Sequence, residues 1–406
     1  MKRSVQVSFF LGLSNFIYLQ FFAIIIILEM IAILCLIIKI IPARKLEAIR
    51  LDHAHKSFRR LYFLGSIWFL SQCISDLINN SISEATLKIL AQIIVLLALL
   101  FWVKNWFSVD TSKITAFVLG YSLSTVPNYF LTPNILIQVE PWKFCFGPGV
   151  TILLLLWFSK YRIKILLQIP IIFSLTYLHI YLGSRALALV TFISWMVCLV
   201  QLLIGKRKLT VIISLATILT TGFILANIYR DFALSGNFGR NQQIKAVDQF
   251  GKGSLILVAR SELLYELVAI KENFFLGTGS NPNISNEIAN EVNNLYNNFE
   301  INQKSTAAFH SMQLSGKIPQ HSLLFSFWMT GGAGASLFWL YLLFILSKWT
   351  FQTIPKKAEY FYLSKFLYVG FIWNFFFSPL GAGQRVLLAV TVAIIYCDYY
   401  LSRKSI

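Results

Sequence analysis

The sequence predicts an all-α, polytopic integral membrane protein with about eleven or twelve transmembrane helices and one large, partly helical loop on the outer face. Hydrophobic residues make up 57% of the 406 positions, and charged residues make up only 13%. Soluble domains carry about a quarter charged residues. Continuous apolar runs of about 17–25 residues are typical of transmembrane helices, so most of this chain is expected to lie in lipid.

The positive charge of the chain follows the connections between the apolar runs. The formal net charge is +18, and lysine and arginine concentrate in segments that fall on every second connection. This alternation is the positive-inside pattern and places those segments in the cytoplasm. The charge therefore reports topology, and we expect no nucleic-acid partner. The basic segments are 44–60, 104–113, 160–164, 206–208, 348–357 and 403–404.

The chain is expected to form one integral membrane domain that consists of three consecutive regions. Residues 1–228 hold the N-terminal transmembrane helices, 229–320 form the large outer loop, and 321–406 hold the C-terminal transmembrane helices. Residues 5–41 are too long for one straight span at about 1.5 Å per residue. They either cross once with an interfacial or tilted extension, or cross twice as a tight helical hairpin. Further spans are expected near 61–79, 86–103, 114–131, 145–159, 165–182, 186–204, 209–228, 322–346, 359–378 and 386–401.

The outer loop is rich in asparagine, glutamine and charged residues, and two helices are predicted in it. Residues 254–274 carry apolar side chains at near-helical spacing, which indicates an amphipathic helix lying on the membrane surface. Gly277 and Gly279 are expected to end it. A second, more polar helix is predicted over 284–299.

Three arginines are expected on the outer face, where the positive-inside tendency disfavours them. They are Arg185, Arg260 and Arg385. A guanidinium group makes forked, charge-assisted hydrogen bonds to phosphate oxygens. Converging arginines would therefore bind a diphosphate. The alternative is that each is an interfacial anchor whose charged end extends to the lipid headgroups.

A histidine, His321, opens the span that follows the outer loop. Histidine titrates close to neutral pH, which suits a general base. The alternative is a polar residue that marks the membrane boundary. His310 and His179 are weaker candidates on the same side.

Three ionisable residues, Glu29, Asp76 and Lys365, fall within apolar spans. Such residues suggest function by default, although they could equally be structural partners of one another. The sequence has no phosphate-binding glycine loop with Lys-Ser/Thr and no paired-histidine metal signature. We therefore expect a pre-activated substrate, no metal and no cofactor.

Three short motifs in a fixed order resemble the O-antigen ligase and O-antigen polymerase family of bacterial envelope glycosyltransferases. A Ser-Arg-Gly-like turn opens a span at 183–186. An arginine-led helix runs from Arg260 to the glycine turn at 276–279. A His-Asn-x-x-Leu-like motif opens a glycine-containing helix at 321–325. The resemblance covers about residues 165–350.

The motifs depart from the family pattern at three positions. Ser322 replaces the usual asparagine, Phe325 replaces leucine, and Ala186 replaces a common glycine. The spans before residue 165 match the family only in their hydrophobicity.

The resemblance implies transfer of a glycan from an undecaprenyl-diphosphate carrier to an acceptor hydroxyl at the periplasmic face of the bacterial inner membrane. Arg185 and Arg260 would hold the diphosphate, with Arg385 as a third candidate, and His321 would activate the acceptor. A ligase uses lipid A-core as acceptor, whereas a polymerase extends a lipid-linked chain. The alternative from another class is a polysaccharide transporter or flippase that uses the ionisable residues within the spans.

The alternation of basic connections generates a topology prediction. A reporter that is active only outside the cytoplasm should be active when it is fused within residues 285–300. The same reporter fused after Lys206 should be silent, because that basic connection is expected in the cytoplasm. The opposite pattern of reporter activity would contradict every outer-face assignment.

Overall fold

The computed structural model is almost entirely helical over the residues it describes. Six of its helices are long and apolar enough to cross a membrane, by length and composition. The fold class of an all-α membrane protein is therefore confirmed at this level. The six helices are Lys56–Ile78, Glu84–Phe107, Trp142–Tyr161, Arg185–Ile204, Leu323–Gln352 and Ala382–Lys404. The described residues are 2–20, 24–40, 52–132, 135–204, 208–237, 239–240, 243–244, 246–247, 262–298 and 316–404.

The described α-helices follow one another with short connections, apart from the region of the outer loop. The first eight are α1 (Arg3–Leu13), α2 (Ile27–Ile40), α3 (Asp52–Ile78), α4 (Glu84–Phe107), α5 (Thr111–Leu123), α6 (Thr125–Leu131), α7 (Ile135–Val139) and α8 (Gly147–Tyr161). The others are α9 (Ile165–Tyr181), α10 (Arg185–Ile204), α11 (Lys208–Leu234), α12 (Glu262–Glu272), α13 (Asn286–Asn298), α14 (Leu323–Gln352), α15 (Phe361–Phe377) and α16 (Ala382–Lys404).

The apolar stretch 5–41 differs from both helical alternatives considered for it. An antiparallel hairpin of β1 (Tyr18–Gln20) and β2 (Ile24–Ile26) interrupts the stretch between α1 and α2. The run of isoleucines explains the strand, since β-branched residues favour extended backbone. At about 1.5 Å per residue, α1 and α2 are each shorter than the ~30 Å hydrocarbon core.

Helix α1 packs on α5 through two glycines that face each other's backbone. A Cβ atom on Gly12 would lie 2.1 Å from the carbonyl oxygen of Phe117. A Cβ atom on Gly120 would lie 2.1 Å from the carbonyl oxygen of Phe9. Small residues permit this close helix approach in membranes.

The long helix α14 is broken at Gly332, whose φ of 69° and ψ of −162° are not helical. The turn 275–280, which follows α12, docks into the break. Ala333 N donates to Phe275 O (3.1 Å), Thr278 N donates to Met329 O (2.7 Å), and Gly279 N donates to Thr330 O (3.1 Å). The backbone groups released by the break are thus satisfied by the loop, as membrane-embedded backbone requires. We call this docked turn with residues 329–333 the glycine clasp.

Asp76 of α3 holds the other side of the glycine clasp. Its Oδ1 accepts from Ser280 N (2.5 Å) and Ser81 Oγ (2.7 Å). Its Oδ2 accepts from Ser280 Oγ (2.7 Å) and Gln72 Nε2 (3.3 Å). Asp76 is buried, and its carboxylate is occupied with fixing the turn between α3 and α14.

The clasp generates a stability prediction. Gly332→Ala should lower the unfolding temperature of the protein in detergent, because a Cβ atom there would lie 2.1 Å from Phe275 O and the backbone conformation favours glycine. The strain alone is worth about 1–3 kcal/mol. Gly383→Ala is the matched control, since nothing lies within 4 Å of a Cβ atom at that position. Equal unfolding temperatures for both variants and the wild type would contradict the structural role of the clasp.

Candidate functional site

The described part of the segment 229–320 forms a small second core on the start of α14. Helix α12 carries buried apolar residues on one face, which pack against α13 and the first turns of α14. This packing fixes the position of α12 relative to the segment in which His321 lies. The buried residues of this core are Leu264, Tyr265, Val268, Ala269, Ile270, Ile288, Val292, Tyr296, Ile318 and Met329.

His321 lies immediately before α14, and its neighbour Ser322 is the N-cap of that helix. Ser322 Oγ accepts from Phe325 N (2.7 Å) and from Ser326 N (3.4 Å). Serine is among the best N-cap residues, so the serine at this position caps the helix well. The cap fixes the point at which the chain leaves the loop and places His321 at the helix entrance.

Glu266 of α12 ties His321 to the loop. Its Oε1 accepts from His321 N (2.8 Å) and from Ser326 Oγ (2.5 Å). Its Oε2 has no hydrogen-bond partner among the described residues, although the side chain is buried. Burial, with a smaller contribution from Glu262, raises the pKa of Glu266 to about 7, against the opposing effect of the hydrogen bonds from Ser326 and His321.

Glu262 lies one helical turn before Glu266 and faces the His321 imidazole. Its Oε1 is 3.9 Å from His321 Nε2, which is an ion-pair distance and longer than a hydrogen bond. Glu262 is buried, whereas the His321 side chain is 35% exposed. An exposed imidazole with a buried carboxylate behind it can accept a proton from a ligand and be stabilised when charged. We call these three residues the histidine–glutamate cluster.

Arg185 begins α10, directly after the tight turn that joins it to α9. Gly183 takes a positive φ of 81°, and Ser184 N donates to His179 O (2.7 Å). The Arg185 guanidinium lies over the Tyr229 ring, with its Cζ 5.2 Å from the ring centroid. This cation–π contact orients a half-buried cation at the end of the helix.

Helix α15 places Arg185 and the start of α14 at the same end of the bundle. A Cβ atom on Gly370 would lie 3.7 Å from Val190 Cγ1, and the Phe325 and Phe376 rings are 6.1 Å apart. Arg185 lies five residues before Val190, or about 7.5 Å closer to the N-terminal end of α10. Phe376 lies six residues after Gly370, or about 9 Å closer to the C-terminal end of α15. The N-terminal end of α10 and the C-terminal end of α15 point the same way. The arginine and the histidine–glutamate cluster therefore share one level of the bundle.

Arg385 lies at the start of α16, but its guanidinium is directed at Glu29. Arg385 Nε donates to Glu29 Oε1 (2.7 Å), and Arg385 Nη2 donates to Glu29 Oε2 (3.0 Å). Both side chains are buried. This pair neutralises two charges inside the protein, which favours a structural role for Arg385. Arg260 and His310 lie outside the described residues.

The remaining ionisable candidates have local partners and do not pair with one another. His179 is buried, where its Nδ1 accepts from Trp142 Nε1 (2.9 Å) and its Nε2 lies 3.0 Å from Thr151 Oγ1. Lys365 Nζ donates to Thr350 O (3.0 Å). These arrangements are those of satisfied interior residues.

Sequence reasoning missed Glu262 and Glu266. The two residues lie four positions apart on the buried face of α12, whose apolar residues the sequence analysis recognised. Like charges at this spacing destabilise an isolated helix, so two carboxylates within an apolar face are the sequence signal that could have marked them as site residues.

The fold and the site together define an all-α membrane protein with a histidine–carboxylate cluster at one end of its helix bundle. No family model, curated protein or solved structure matches this chain.

The raised pKa of Glu266 generates a pH prediction. As the pH rises from about 4.5 to about 7, Glu266 ionises in the unfolded chain before it ionises in the folded protein. The wild type should therefore lose stability relative to Glu266→Gln over this window, and the difference should level off above it. Unfolding temperatures of both proteins from pH 4 to pH 8 measure this. Asp231→Asn, at an exposed position of α11, should follow the wild type. If the difference in unfolding temperature between the wild type and Glu266→Gln stays constant from pH 4 to pH 8, the pKa of Glu266 is not raised by burial.

Proposed function

We propose that this protein is a membrane glycosyltransferase that moves a glycan from an undecaprenyl-diphosphate carrier to an acceptor hydroxyl. The histidine–glutamate cluster carries the proposal, because it holds an accessible imidazole against a buried carboxylate at the entrance of a membrane helix. The motif order around 183–186, 276–279 and 321–325 supports the likeness to O-antigen ligases and polymerases.

The donor diphosphate is bound by Arg185 and Arg260 in this proposal. Arg185 shares one end of the bundle with the histidine–glutamate cluster, and Arg260 precedes Glu262 by two residues in the sequence. Arginines stabilise the charge that develops on a departing diphosphate. Arg385 is the weaker candidate because it already pairs with Glu29.

His321 acts as the general base. The acceptor oxygen attacks the anomeric carbon of the donor glycan, and its proton passes to a ring nitrogen of His321. The bond between the anomeric carbon and the diphosphate oxygen breaks, and the diphosphate leaves with the electron pair. The Glu262 carboxylate stabilises the resulting imidazolium. The chemistry requires no metal or cofactor, and this stays a prediction.

The proposal also includes a number of membrane crossings and an orientation, which go beyond the six candidate spans. The chain crosses the bacterial inner membrane about eleven or twelve times, residues 229–320 face the periplasm, and the active site opens to that side. The bilayer then supplies the lipid-linked donor laterally.

The acceptor separates two forms of the proposal. We favour a ligase that uses lipid A-core, because the sequence has a single large outer loop, and a polymerase of the same family is the alternative. A transporter or flippase is less well supported, because Asp76, Glu29 and Lys365 are each occupied by structural partners.

The proposal predicts the effect of His321→Ala. The variant should accumulate in the membrane normally and bind the lipid-diphosphate glycan, yet transfer it about 10²–10⁴-fold more slowly, as the loss of a general base requires. Transfer is measured in nanodiscs with lipid A-core or with a second lipid-linked repeat unit as acceptor, and the preferred acceptor distinguishes ligase from polymerase.

His310→Ala is the control and should lower the transfer rate much less than His321→Ala. Near-wild-type transfer by His321→Ala would refute its role as the base. Loss of donor binding in that variant would instead make His321 a diphosphate ligand.

A further inference from the structure

A polar cleft of about 440 Å³ opens at the end of α12 opposite the histidine–glutamate cluster. It lies between the turn after α3, the turn after α12 and the start of α13. Its volume is within the range of ligand pockets, about 300–1,000 Å³. Five asparagines line it, and we call it the asparagine cleft. They are Asn79, Asn80, Asn273, Asn281 and Asn283.

Four of these side chains have unused hydrogen-bonding capacity. Asn79 Nδ2 donates to Ser75 O (2.8 Å) and to Gly277 O (3.1 Å), which fixes this wall to the glycine clasp. The side-chain amides of the other four have no hydrogen-bond partner among the described residues. Each amide offers two N–H donors and one oxygen acceptor. A ligand that satisfies them must carry many groups that both donate and accept.

The charge of the asparagine cleft excludes anionic ligands. The charged residues that line it are Glu272 and Glu287. The nearby Lys271 is paired with Glu291 (2.7 Å) and does not line the cleft. Burial, together with Glu287 and Glu291, raises the pKa of Glu272. Two carboxylates would repel a diphosphate or a lipid phosphate, whereas they accept hydrogen bonds from hydroxyl groups.

We propose that the asparagine cleft binds uncharged sugar residues of a glycan. Sugar hydroxyls both donate and accept hydrogen bonds, which matches the amide-rich lining and the two carboxylate acceptors. The inference rests on the proposed function, for which it supplies a saccharide subsite distinct from the diphosphate site.

The position of the cleft fits such a subsite. Helix α12 carries Glu266 beside His321 and ends in Glu272 at the cleft, six residues or about 9 Å further along the helix. The turn 275–280 is held by α14 and by Asp76, so the cleft wall and the histidine–glutamate cluster are parts of one fixed unit. A glycan whose reacting end lies at His321 can extend along α12 into the cleft.

Binding to the full-length protein in nanodiscs tests the proposal without requiring transfer. The probes are uncharged tetra- to hexasaccharides of glucose, galactose, rhamnose and N-acetylglucosamine, detected by saturation-transfer difference NMR. At least one probe should bind the wild type, and the double variant Asn80→Ala/Asn283→Ala should bind it at least 5-fold more weakly. Asn290→Ala is the matched control, because this exposed asparagine of α13 does not line the cleft.

The outcomes separate this proposal from the transferase itself. If no probe binds the wild type, or if the double variant and the wild type bind equally, the asparagine cleft is not a sugar site. In a transfer assay the double variant should raise KM with little change in kcat, whereas His321→Ala lowers kcat. Sugar binding without any transfer would support the sugar site in the asparagine cleft and contradict the proposed transferase activity.

Discussion

The docking of turn 275–280 into the break of α14 is the interaction on which the other features of this end of the bundle depend. A break at Gly332 within a membrane helix leaves backbone groups that would cost several kcal/mol each if they faced lipid. The turn satisfies them with its own backbone, and Asp76 fixes the turn from α3. Because α12 runs directly into this turn, the clasp also sets where Glu262 and Glu266 meet His321.

In the rest of the described bundle, buried ionisable side chains are held by backbone hydrogen bonds or by an opposite charge. Glu29 and Arg385 neutralise each other through two hydrogen bonds, and Glu29 Oε2 also accepts from Ile26 N (2.9 Å). That last bond joins β2 to Glu29 of α2, and Glu29 in turn pairs with Arg385 of α16. Removal of one partner from such a pair leaves an uncompensated charge, which is strongly destabilising. These residues are therefore needed by the fold.

The sequence predicted the membrane class, the helices near 165–182 and 186–204 and those around 262–272 and 286–298, because hydrophobic periodicity and glycine turns are local signals. It did not predict the hairpin within 5–41, since a run such as Ile24–Ile27 is compatible with a buried helix or a strand. The partner of Arg385 is 356 positions away in the chain, and no local pattern reveals such a contact. Glu262 and Glu266 were missed because their role depends on how α12 docks.

The two carboxylates of the histidine–glutamate cluster contact different parts of His321. Burial raises the pKa of Glu266 to about 7, and its Oε1 accepts from the backbone N of His321. Glu262 Oε1 lies 3.9 Å from the imidazole Nε2, which is longer than a hydrogen bond. Glu266 thus fixes the backbone of His321, and Glu262 is the carboxylate that faces its side chain.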